Sequence, residues 1–168
     1  MSDSEPTRAT LVCTASAIAI KSSTRPLLQI RRGRAEAHDA VSLTPCLAGI
    51  AETGTLLLAS GPGTPSTLNF LPDTHIVVLH AGQVVASYED GWDLLRAVRQ
   101  DDPPPLVREV DRPTGGPEGA TASPLLPRTV NLITGPSRTG DIEQRIQLGA
   151  HGPRRLHVIL VEDAPAQP

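Results

Sequence analysis

A chain of 168 residues with 39% hydrophobic content has the size and composition of one globular domain, not of a disordered or fibrous protein. Its formal net charge of −3 gives nucleic acid no electrostatic advantage over a small anion as a ligand. No apolar run reaches the roughly 18 residues that span a bilayer, and the start lacks a charged-then-apolar leader pattern, so a cytoplasmic protein is expected.

Residues 1–8 are polar and expected to fray. Thr10 to Ile20 is apolar enough for one or two short strands, and Ile30-Arg-Arg-Gly-Arg34 reads as a basic turn. Arg31, Arg32 and Arg34 fit a solvated surface cluster better than a contact for an acidic partner. Ala35 to Val41 suits a short helix. Cys46–Ile50 and Gly54–Ser60 are apolar and branched around the polar Glu52-Thr53 step, as two strands meeting at a tight turn would be, which puts Glu52 at a strand edge. Residues 61–66 are a Gly/Pro loop. His75 to Leu79 is a strand with apolar residues on both faces, which implies helices covering both faces of a sheet.

Ser87 with Asp90 three residues on resembles a capping box, and Tyr88, Trp92 and Leu95 follow at helical spacing, predicting an amphipathic helix to about Arg99 with Trp92 in the core. Residues 101–128 hold seven prolines and three glycines and read as a long loop. Thr129–Ile133 and Leu156–Val161 read as buried strands. A helix starting near Gly140 or Asp141, capped by Asp141 with Gln144 and burying Ile142 and Ile146, would complete a right-handed βαβ unit between them.

Of the 15 basic residues all but Lys21 are arginine, which reads as compositional bias. Cys13 and Cys46 stand alone without CxxC spacing, so buried structural thiols are expected in place of a disulfide framework, an iron–sulfur cluster or a zinc site. The five histidines, at 38, 75, 80, 151 and 157, form no HExxH-type pair. Phe70, Tyr88 and Trp92 are the whole aromatic complement, too few for a surface that stacks flavin or single-stranded nucleic acid.

The densest chemistry lies in Gly135-Pro-Ser-Arg-Thr-Gly-Asp-Ile-Glu-Gln-Arg-Ile-Gln-Leu-Gly-Ala-His-Gly-Pro153. A strand-to-helix turn presents free N–H groups, and Ser137, Arg138 and Thr139 add hydroxyls and a cationic fork suited to a carboxylate or phosphate. Each has a structural alternative. Ser137 and Thr139 can satisfy the turn backbone, Arg138 can pair with Asp141 or Glu143, and Asp141 can cap the helix in place of touching a ligand. His151, at the mouth of the last strand, is a general-base candidate that can equally pack and hydrogen-bond.

These residues carry a resemblance. Ala51-Glu-Thr-Gly-Thr55, then Leu71-Pro-Asp-Thr-His-Ile-Val-Val78, then Gly135 to Glu143 with His151-Gly-Pro153 and the strand to Val161, resemble in order the lactate-utilization protein C family, small LUD-domain proteins of bacterial lactate oxidation systems. The resemblance covers roughly 41–161 as a LUD domain, leaving 1–40 poorly matched and 162–168 as a tail. Gly140 stands where a slightly larger small residue is common in the family.

The resemblance implies a three-layer α/β/α domain with a mainly parallel sheet, similar to the NagB/RpiA/CoA-transferase-like fold, with ligands beyond the carboxyl ends of strands. Ala51–Thr55 and Gly135–His151, about 80 residues apart, would then meet. It also implies an accessory role in oxidation of L-lactate to pyruvate beside iron–sulfur partner proteins. No cofactor is encoded in this chain, which lacks cluster cysteines, a GxGxxG fingerprint and a flavin signature. Ser137, Arg138, Thr139 and Asp141 with Thr53, Gly54 and Thr55 are the expected ligand-binding residues, and Glu52 and His151 the catalytic candidates. The alternative is a stand-alone acyl-CoA or sugar-phosphate-processing enzyme. Ala51-Glu-Thr-Gly-Thr-Leu56 looks like the motif of class I CoA-transferases, in which the glutamate is a nucleophile. Glu52 as a site-lining or turn-stabilising carboxylate is preferred.

Overall fold

The computed structural model describes residues 9–14, 28–61, 63–97, 127–142 and 145–162. Five parallel strands form the central sheet, in the order β11-β6-β3-β1-β2: β1 (Ala9–Cys13), β2 (Leu28–Arg32), β3 (Val41–Pro45), β6 (Thr74–His80) and β11 (Arg155–Val161). A second sheet, of mixed direction, runs β7-β4-β5-β8, from β4 (Ala48–Ile50), β5 (Thr55–Ala59), β7 (Val84–Val85) and β8 (Val130–Ile133). Within it β5 is antiparallel to both β4 and β8, and β7 is parallel to β4. A separate antiparallel hairpin joins β9 (Arg138–Ile142) to β10 (Arg145–Leu148). Helix α1 (Thr67–Phe70) is one turn, and α2 (Tyr88–Ala97) spans ten residues. The α/β class and the mainly parallel central sheet expected from sequence are those of the structure.

The two sheets are held together by alternation along β5. Leu56 and Leu58 point to the central sheet and join Cys46, Val77 and Leu79, with Ile133 and Leu156 at the margin. Leu57 points the other way, to Ala48 and to Leu95 of α2, where Trp92 and Leu94 also pack. Of the predicted stripe, Leu95 is buried and Trp92 packs half-buried against the core, while Tyr88 is half-buried at the start of the helix. At the opposite end of the central sheet, Leu68 of α1 packs on Val12 and Ala35, and the Ser42 hydroxyl donates to the Leu68 carbonyl. The start of α2 is fixed as the sequence predicts: the Asp90 carboxylate accepts the Ser87 N–H at 3.0 Å, and the Ser87 hydroxyl accepts the Asp90 N–H at 3.2 Å.

Close approach of the sheets explains Gly49. A Cβ there would lie 2.6 Å from Leu79 Cδ2, and both residues are buried. Gly49→Ala is expected to cost about 1–3 kcal/mol through overpacking, read as a lower urea midpoint; an unchanged midpoint would show that Leu79 moves aside freely.

Four expectations are corrected. The helix at Ala35–Val41 is absent: the Asp39 carboxylate accepts the Glu36 N–H and pairs with Arg31, so a local side-chain bond closes the loop and competes with helix formation. Ile30 to Arg32 continue strand β2, with the turn at Gly33 (φ 118°), and Arg31 is ion-paired with the buried Asp39 and with Glu36 instead of lying in a solvated cluster. The helix beginning near Asp141 is replaced by the β9–β10 hairpin, with Arg138 opposite Leu148 and Thr139 opposite Gln147. Branched Thr139, Ile142 and Ile146 favour a strand, and so short a helix would be marginal without a wide apolar face. Finally, β8 and β11 belong to different sheets, so no βαβ unit links them. The rest of the expected 10–20 strand region, residues 101–126 of the long loop and 163–168 of the tail lie outside the described residues.

Candidate functional site

The β4–β5 turn, Ala51 to Gly54, is exposed, and Gly54 (φ 65°) supplies the left-handed backbone that closes it. Pairing of β4 with β7 continues into the turn: the Ala51 N–H donates to the Val85 carbonyl and the Glu52 N–H to the Ala86 carbonyl. That sets Glu52 against the start of α2, where its Oε1 accepts the Tyr88 N–H at 2.9 Å. Glu52, Glu89 and Asp90 thus meet the positive end of the helix dipole, so this terminus is already satisfied by carboxylates.

Beneath the turn lies a knot of hydroxyls. Thr55 is fully buried, and its Oγ1 is 2.7 Å from Thr53 Oγ1, 3.0 Å from the Tyr88 phenol and 3.0 Å from Thr134 Oγ1. A hydroxyl can donate one hydrogen bond and accept two, so three partners saturate Thr55. Two of Thr53, Tyr88 and Thr134 must then spend their protons inward, and the third keeps its own for a ligand or water. Hydrogen bonding by Thr55 and then Thr53 draws the Tyr88 phenol below its usual value, against opposing effects of burial and of the Glu52 charge.

The Thr55–Thr134 contact, 79 residues apart, follows from the pairing of β5 with β8 and brings the first motif block to the start of the last. Three residues on from Thr134, at most about 11 Å of extended chain, Ser137 fastens the base of the hairpin. Its N–H donates to the Pro153 carbonyl at 2.8 Å, its carbonyl accepts the Gly149 N–H at 3.0 Å, and its hydroxyl accepts the His151 N–H at 3.2 Å. Gly152 lies against Ser137 and Phe70 of α1, where an added Cβ would sit 3.6 and 3.8 Å from their nearest carbons.

The sequence-predicted residues therefore fall in two joined groups: Glu52, Thr53, Gly54 and Thr55 at the hydroxyl knot, and Ser137 and His151 at the hairpin base. Arg138 and Thr139 open β9; Arg138 is exposed, and no carboxylate pairs with it among the described residues. Asp141 lies on β9, not at a helix cap, and its side chain is outside the described part. The Ser137–His151 group sits at the amino-terminal entry to β11, not beyond the carboxyl ends of the parallel strands, because Pro153 precedes that strand by two residues. Sequence reasoning missed Tyr88 and Thr134. Thr134 borders the Gly135 block, and Tyr88 is the chain's single tyrosine, placed directly after a helix cap.

Cys13 and Cys46 are free and buried, and burial pushes the Cys46 thiol up to about 12. Among the described residues no three His, Cys, Asp or Glu side chains are grouped to hold a metal ion, and no helix is long and apolar enough to cross a membrane.

The family model of the LUD domain matches residues 29–161. The chain belongs to the LUD domain family. It is 30% identical over 114 residues to lactate utilization protein C of Geobacillus sp. (strain WCH70), covering 68% of this chain and 39% of that protein. Lactate utilization protein C of Bacillus subtilis (strain 168) is 27% identical over 114 residues, with the same coverage of each chain. A DUF162 family protein from Deinococcus radiodurans has a similar solved structure, with a TM-score of 0.53 and 25% identity over 93% of this chain and 76% of that one. The chain spans about two fifths of the length of the lactate utilization proteins it matches.

Proposed function

We propose that this LUD domain serves a lactate utilization system as an accessory subunit that holds a small carboxylate or phosphate, while iron–sulfur partner proteins carry the electrons. The reading is supported by the Thr55–Thr134 contact, which brings the Glu52–Thr55 turn to the residue that precedes the Gly135 block. The names of the relatives supply the system. Arg138, exposed four residues beyond Thr134 and with no carboxylate of its own among the described residues, is the cation assigned to the anionic end of the ligand in this reading. Thr53, Tyr88 and Thr134 present one spare hydroxyl proton and several lone pairs to the remainder, with His151 beside Ser137. The Tyr88 N–H occupies one oxygen of Glu52, which favours a wall-forming carboxylate over a nucleophile. Ser137 is engaged by backbone groups on three atoms, so its part is chiefly to shape the loop.

Calorimetric titration with L-lactate, pyruvate and inorganic phosphate tests the ligand. Arg138→Ala is expected to weaken binding by about tenfold or more, the loss of one charge-assisted contact. Equal affinity in the variant would remove Arg138 from the site. The system is tested separately by coexpression with neighbouring iron–sulfur proteins: copurification, and lactate-dependent electron transfer that stops when this chain is omitted, are the expected results, and no association would sink the accessory role.

A further inference from the structure

Among the described residues, strand β11 is an edge of the central sheet without the usual protection. It pairs with β6 on one side, and among the described residues no strand pairs with the other. The Arg155 N–H donates to the Asp73 carbonyl. Bonding alternates along a parallel ladder, so Arg155, His157, Ile159 and Val161 face β6, while the N–H and C=O groups of Leu156, Val158 and Leu160 point outward. Edge strands are normally guarded by lysine, proline, an inward charge or a bulge. From Leu156 to Val161 this strand has none of these, and its register with β6 is unbroken. Val158, Ile159 and Leu160 are 42%, 41% and 58% exposed, so apolar side chains are open on both faces of the edge.

We propose that β11 pairs antiparallel with β11 of a second copy of this chain, across a two-fold axis at Val158, making one continuous sheet from two central sheets. The charges at the ends of the strand select this partner and this register. With the axis at Val158, Leu156 faces the partner's Leu160, and Arg154 faces the partner's Glu162 at both ends. An axis at Ile159 would set Leu156 against Glu162, and one at His157 would set Arg154 against Leu160. Arg154 is held by an exposed contact 3.7 Å from Asp73 and can reach an acid across the edge. Leu156 already packs at the margin of the cluster between the sheets, so an incoming Leu160 would extend that core. The outward groups at Leu156, Val158 and Leu160 would all find partners. This inference is independent of the ligand reading.

Sedimentation equilibrium over a range of concentrations tests it. The unaltered chain is expected to dimerise, and Leu160→Lys, which changes an exposed side chain, to raise the dissociation constant by about tenfold or more by placing a charge in an apolar rung. Val158→Pro removes an outward N–H at the axis without removing a bond to β6 and is expected to act in the same direction. Arg154→Glu should weaken the dimer, and Arg154→Glu combined with Glu162→Arg should restore it. A monomer at every concentration, or a dimer indifferent to Leu160→Lys, overturns the proposal. A charge-swapped pair that fails to restore the dimer overturns the Val158 register, whatever the folding of the other variants.

Discussion

Between pH 6.5 and pH 4 the domain is expected to lose about 3 kcal/mol of stability through one buried imidazole, His75. The ring is fully buried on β6; its Nε2 lies 2.8 Å from Thr44 Oγ1, and its Nδ1 has no partner among the described residues. Protonation would make both nitrogens donors, and Nδ1 has no acceptor among the described residues. Burial therefore lowers the folded pKa from 6.5 to about 4. Above pH 6.5 the ring is neutral in both states and stability is unaffected. As the pH falls below 6.5 the unfolded chain takes up the proton and the folded chain does not, so stability declines until the folded ring also titrates near pH 4. Urea unfolding at pH 7, 5.5 and 4 measures the loss, and His75→Gln should flatten that part of the profile. An equal decline in the variant would assign the acid sensitivity to groups other than His75.

Local chemistry was legible wherever one short segment decides the outcome. The Glu52 turn between two apolar strands, the Ser87–Asp90 cap and the His75 strand all follow from neighbours in sequence, and each is present. The hairpin was not legible for a different reason. Ile142 and Ile146 also fit a helical stripe, and closure at the base by Ser137, Gly149 and Pro153 adds to their strand preference. The hydroxyl knot is a tertiary product as well. Thr53 and Thr55 stand out as motif residues, but their partners Tyr88 and Thr134 arrive from elements 33 and 79 residues from Thr55, and no local pattern records either. The anion site was expected at a strand-to-helix turn, and the β9–β10 hairpin stands where that helix was expected, so Arg138, not a helix terminus, carries the electrostatic argument.

Leu57→Ala is expected to destabilise the domain by about 3 kcal/mol, within the usual range for emptying a buried leucine site. Leu57 is fully buried beneath α2 with Ala48 and Leu95, and a ten-residue helix depends on such packing because its own hydrogen bonds are marginal in water. Thr55, two residues earlier on the same face of β5, touches the same helix through Tyr88. The helix is therefore seated at two points, one apolar and one made of hydroxyls. Thr55→Val keeps the shape, removes the polar point, and is expected to cost about 1 kcal/mol, since the three outer hydroxyls can turn to water. Its sharper consequence is at Tyr88, whose phenol should return toward its ordinary pKa when Thr55 no longer bonds to it. With a single tyrosine in the chain, absorbance titration reports that group alone. Loss of stability in Leu57→Ala without any change in the tyrosine titration would show that the two points hold independently. A shift in both would show that packing under α2 is what keeps the Tyr88 hydroxyl in the knot.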